Sequence, residues 1–100
     1  MRVITIQLDN EMDQYHEDIS KFLELMVHKL HKNVHKGRWE GMDVWTAYSL
    51  LVDEVHELEA ALLEHNRDEV LLEAADAANF AMIIASIVRE LGNDTGIRRA

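Results

Sequence analysis

From Val70 to Val88 the chain is apolar on nearly every helical face, interrupted only by Glu73, Asp76, Asn79 and Ser86. No proline stands in this stretch or anywhere else in the chain. A helix that is apolar all round is a helix surrounded by others, so this segment demands neighbours on several sides. A chain of 100 residues builds one core, and it must find those neighbours within itself or in another copy.

The remaining sequence offers two more helices. From about Asn10 to His35, Tyr15, Ile19, Phe22, Leu23, Met26, Val27 and Leu30 recur at steps of three and four, which predicts a helix over 10–35. Gly37 and Gly41 break it. Asp43 is placed to N-cap a second helix over 43–64 that carries Leu50, Leu51, Val55, Leu58 and Leu62. His65, Asn66 and Arg67 read as a tight turn. Asp68 and Glu69 then open a third helix over 68–91, where the dipole favours acid, and Gly92 ends it. Residues 1–9 form a short extended arm with no second strand to pair with, and 92–100 a frayed tail. The expected fold is a single all-α domain at 1–100, an antiparallel helical bundle completed by oligomerisation as a homodimer or homotetramer.

Charge and composition exclude several functions. Lysine and arginine total 10 against 19 acids, a formal charge of -9, which argues against stable nucleic-acid binding. The chain has no cysteine, so neither a disulfide scaffold nor a thiolate zinc module is available. Met1 to Leu8 is too short in apolar length for a signal-peptide core or a membrane span. The expectation is a cytoplasmic protein that does not use a membrane.

The carboxylates inside the apolar helix need an explanation. Glu73, Asp76 and Asn79 follow at three-residue steps, about 60° apart around the helix, and so lie along one stripe. Burying an ionised carboxylate without a partner costs several kcal/mol, on the order of the penalty for any lone interior charge. The second helix has no lysine or arginine to offset it; it adds Asp53, Glu54, Glu57 and Glu59. In an antiparallel hairpin turning at residue 65, Glu57 faces Glu73, and Glu54 faces Asp76 on the next rung, about 4.5 Å along the axis. Four carboxylates then converge, which only protonation or a divalent cation relieves. An all-oxygen ligand set suits Mg²⁺ or Mn²⁺.

Glu54-Val-His-Glu57, fifteen residues, then Glu73-Ala-Ala-Asp76 resembles the paired E-x-x-E and E-x-x-D signature of the MazG-like all-α nucleoside triphosphate pyrophosphohydrolases. Lys29 to Trp39 resembles the loop that precedes the metal helices in small members, and the likeness spans roughly residues 15 to 90. It implies Mg²⁺- or Mn²⁺-dependent hydrolysis of a nucleoside triphosphate between the α and β phosphates, giving the monophosphate and pyrophosphate. It implies metal binding at Glu54, Glu57, Glu73 and Asp76. Among these Glu57, and after it Glu54, is the candidate general base.

Other residues divide between functional and ordinary readings. Lys29, Lys32, Lys36 and Arg38 hold four of the ten basic residues, with no acid between Glu24 and Glu40. Lys29 and Lys32 are read as complementing a helix C-terminus, whereas Lys36 and Arg38, beside Gly37, are candidate phosphate ligands. Asn33 is a candidate ligand for base or phosphate, or else a capping residue. Trp39 is a candidate stacking surface for a nucleobase, and Trp45 a packing residue. Asn79 is a candidate for sugar, phosphate or metal-bound water, against an amide bonded to another helix. His28, His31 and His35 share a face but read as solvated. The alternative function is a non-catalytic helical assembly or binding protein with a structural cation. A di-iron oxidase ranks third, because the third helix has no histidine to match Asp53-x-x-His56.

Overall fold

In a computed structural model, which describes residues 1–91 and 97, three helices carry the fold: α1 (His16–Lys32), α2 (Val44–Leu63) and α3 (Arg67–Leu91). No strand occurs among the described residues. Residues 1–9 form neither helix nor strand and are exposed apart from Leu8, which is half-buried. Gly92 and the expected tail lie, Ile97 excepted, outside the described residues.

The segment expected as one helix over 10–35 is divided into a 3₁₀ turn (Met12–Tyr15), α1, and a second 3₁₀ turn (Val34–Lys36). Its ends tighten because side chains compete for the backbone. Asp9 Oδ1 accepts from the Met12 N–H at 3.0 Å. At the other end Asn33 Nδ2 donates to the Lys29 carbonyl at 3.1 Å, while the Asn33 N–H bonds three residues back to Leu30. Gly37 and Gly41 then both sit at φ +80°, a left-handed backbone that L side chains rarely adopt.

Asp43 caps α2 as its position predicts: Oδ2 accepts from the Trp45 and Thr46 N–H groups at 3.0 and 3.2 Å. The hairpin turns at His65, whose φ of 56° is the only positive value outside glycine among the described residues. Asn66 is the residue that starts α3, its Oδ1 accepting from the Glu69 N–H at 3.2 Å. The helix therefore begins at Arg67, one residue before the acidic pair.

α2 packs along α3, and α1 lies on α3 while scarcely touching α2. Small residues make the core. Val44, Ala47, Ala61, Ala75, Asn79 and Ile83 are buried, and no large side chain among the described residues is fully enclosed. On α3 only the stripe Ala75, Asn79, Ile83 is buried, so the helix that is apolar all round is covered on one face. Leu71 and Met82 on α3, and Tyr48, Val55 and Leu62 at seven-residue steps on α2, remain exposed. The accessible surface is 8249 Å², against about 5,800 Å² for a compact monomer of 11.6 kDa. The radius of gyration is 15.5 Å, against about 13 Å for a compact chain of this length.

By length and composition α3 is apolar enough to cross a membrane, with a mean hydropathy of 1.6 in its most apolar window. Core helices of bundles pass the same measure. Here the polar residues in mid-helix meet protein: Asp76 and Asn79 bond to α1, and Glu73 faces α2.

Candidate metal centre

α2 and α3, packed as a hairpin, bring together Glu54 and Glu57 of the first and Glu73 of the second. One oxygen each of Glu54, Glu57 and Glu73 lies within 4.8 Å of the others. Glu54 and Glu73 are half-buried and Glu57 is exposed, so the cluster has a dry side and an open side. Glu54 Oε2 and Glu73 Oε2 are buried with no hydrogen-bond donor. Burial first, then the contact with the Glu73 carboxyl and the charges of Asp76 and Glu57, push the Glu54 carboxyl up to about 8. Burial also raises Glu73, together with Glu57 and Asp76, although the Glu54 side chain opposes the rise. Both carboxyls therefore hold a proton more readily than an ordinary carboxylate.

The donor set fits a hard divalent cation. Three carboxylates each bring one oxygen to ligand spacing, two of them also carry a buried oxygen without a donor, and among the described residues no nitrogen or sulfur ligand joins the group. Asp76 stands differently from the expectation that all four acids converge. Its Oδ2 pairs with Lys29 Nζ at 3.1 Å, both side chains being 16% exposed. Its charge still bears on Glu54 and Glu73.

Lys29, expected to complement the helix C-terminus, instead reaches across to Asp76 from α1. The signal was its spacing: Lys29 follows Phe22 by seven residues and Met26 by three, on the apolar stripe of α1.

Beside the carboxylates a cleft of about 660 Å³ opens, a size suited to a small ligand. Its wall includes Glu54 and Asp76, the basic residues Lys29, Lys36 and Arg38, and apolar Trp39, Leu50 and Phe80. Asn33 and Asn79 also line it. Each amide has structural work as well. Asn33 bonds the Lys29 carbonyl, and Asn79 Nδ2 donates to the Met26 carbonyl at 3.0 Å, leaving its buried Oδ1 without a donor. Trp39 Nε1 donates to Ser86 Oγ at 3.2 Å, tying the loop to α3, and the Arg38 guanidinium lies 4.4 Å from the Trp39 ring centroid. Arg38 also pairs with Glu40 at 2.8 Å in an exposed contact. Trp45 packs edge-on against Tyr48 and donates to the Ile97 carbonyl, away from the cleft. His28, His31 and His35 are exposed.

No family model, no curated protein and no solved structure matches the chain.

Proposed function

We propose that the chain is a MazG-like nucleoside triphosphate pyrophosphohydrolase. The observation that carries this reading is the cluster of Glu54, Glu57 and Glu73 at ligand spacing across the α2–α3 seam, beside a cleft lined by basic residues. Glu54, Glu57 and Glu73, joined by Asp76, would hold Mg²⁺ or Mn²⁺. When bound, the ion neutralises phosphate charge and lowers the pKa of a coordinated water.

The chain's own residues do the rest. Glu57, the exposed member, accepts the proton of the attacking water in this reading, with Glu54 as the second candidate. Lys29, Lys36 and Arg38 offer positive charge to the phosphates, and the apolar wall with Trp39 takes the nucleoside. Water adds across the anhydride between the α and β phosphates; monophosphate and pyrophosphate leave, and one proton is released at neutral pH. A cytoplasmic setting, where triphosphates are abundant, suits this activity.

A second copy of the chain completes the bundle in this reading. The excess of about 2,400 Å² of exposed surface over a compact monomer is of the size that obligate homodimers bury. Large residues on α2 (Tyr48, Val55, Leu62) and small or flexible ones on α3 (Ala81, Met82, Ala85) stand exposed for that contact. A homotetramer remains open to the same surfaces.

The test is a screen of common and modified nucleoside triphosphates with Mg²⁺, detecting pyrophosphate. Pyrophosphate released in equal amount with the monophosphate supports the reading. Metal binding and thermal stabilisation with no turnover on any triphosphate would favour a structural cation instead.

A further inference from the structure

The turn Met26–Lys29 of α1 is pinned to the turn Asp76–Asn79 of α3 by two contacts in antiparallel register, Met26 with Asn79 and Lys29 with Asp76. Within the end of α1 itself, Asn33 Nδ2 donates to the Lys29 carbonyl. The backbone of Lys29 is thus fixed against the acid cluster while its side chain ends at the cleft wall. A lysine of 16% exposure loses much rotamer freedom and hydration, which only a strong local need for positive charge repays.

We propose that Lys29 is the resident counter-charge of the carboxylate centre: it holds Asp76 until a divalent cation takes that carboxylate, and then passes to a phosphate group of the ligand. The proposal rests on the reading of the centre as a metal-dependent phosphate site. Its physical basis is exclusion between like charges. An ion ligated by Glu54, Glu57 and Glu73 and drawing in Asp76 would face the ammonium group 3.1 Å from that same carboxylate. One cation must leave Asp76, and only the lysine is on a flexible stem of four methylenes. Backbone motion is unnecessary because the Met26–Asn79 bond keeps the two turns in place. Lys36 and Arg38 line the same cleft but are exposed, so Lys29 is the buried cation of the three and the one already at the acids.

The role makes an opposite prediction from a structural salt bridge. In Lys29→Met a competitor for Asp76 is gone, and calorimetry should find Mn²⁺ binding tighter by about tenfold than in the natural sequence. Unchanged or weaker binding would overturn the proposal, since a lysine that merely positions Asp76 helps the metal when present. Should the variant fail to fold, the unaltered protein answers the same question. Acylation of the Lys29 amine, followed by peptide mass measurement, should be slow in chelator, several-fold faster with saturating Mn²⁺, and slow again with Mn²⁺ plus inorganic tripolyphosphate. A Lys29 that stays protected while Mn²⁺ binds would sink the handover and leave the metal site standing. If neither the natural sequence nor Lys29→Met binds Mn²⁺ at millimolar concentration, the metal reading falls and the handover with it.

Discussion

Asn79 Nδ2 donates to the Met26 carbonyl at 3.0 Å, one helical turn from the point where Asp76 meets Lys29. These two polar contacts are how α1 finds its register on α3. The Asn79 amide is buried, 5% exposed, and its donor side is the side that faces α1.

Replacing Asn79 by Asp turns that donor into an acceptor facing an acceptor, and adds a charge to a cleft wall that already carries Glu54 and Asp76. Urea unfolding at neutral pH should show a loss of about 3 kcal/mol or more, in line with a buried uncompensated charge. The loss should shrink at pH 5, where the new carboxyl takes a proton. A variant as stable as the natural sequence at pH 7 would mean that the Asn79–Met26 contact does not order the helices.

Glu73→Gln removes one of the converging acids. In chelator its melting temperature should exceed that of the unaltered protein, because like charges no longer oppose the fold. Its Mn²⁺ affinity should fall by more than tenfold, about the effect of losing one of few charged ligands. A variant with full Mn²⁺ affinity contradicts the assignment of Glu73 as a ligand.

The Glu54 carboxyl has an ordinary value of 4.5 and is pushed up to about 8 in the fold, so between these limits the folded protein holds a proton that the unfolded chain releases. The contribution of this group to stability in chelator is then fully present below about 4.5 and is lost as pH rises toward 8. Melting temperatures in chelator should fall across this window. With Mg²⁺ or Mn²⁺ present the fall should flatten, because the cation replaces the proton as the source of positive charge. A flat profile in chelator would remove the case for a crowded, half-buried acid cluster.

Much of the architecture is legible in the sequence, and the exceptions have physical causes. Asp43 as a cap and the turn near His65 follow from local chemistry, which is why they could be read one residue at a time. The division of the first helix could not, because it depends on Asn33 choosing the Lys29 carbonyl over continued helix. The facing of Glu57 and Glu73 was readable since hairpin register is arithmetic about the turn. The partner of Asp76 was not, since it comes from α1, whose placement on α3 no spacing within one helix reveals. Lys29 was visible only as a lysine on an apolar stripe. The same limit explains the helix that is apolar all round: its composition announces neighbours without saying which chain supplies them.

Leu71 is a large apolar residue 44% exposed on α3. Leu71→Asp should therefore leave a monomer folded but break an assembly that covers this face. Light scattering at micromolar concentration should show the natural sequence as a dimer or tetramer and the variant at lower mass, with its helix content retained. A natural sequence that runs as a monomer with full helical signal contradicts a bundle completed by a second chain.

The account turns on what the carboxylate centre does to a triphosphate, and phosphorus NMR of the protein with Mg²⁺ and a susceptible nucleoside triphosphate observes it directly. Monophosphate and pyrophosphate signals should grow together, vanish in chelator, and be absent with Glu73→Gln. Release of orthophosphate with the diphosphate, or no change across the common and modified triphosphates, would contradict the account.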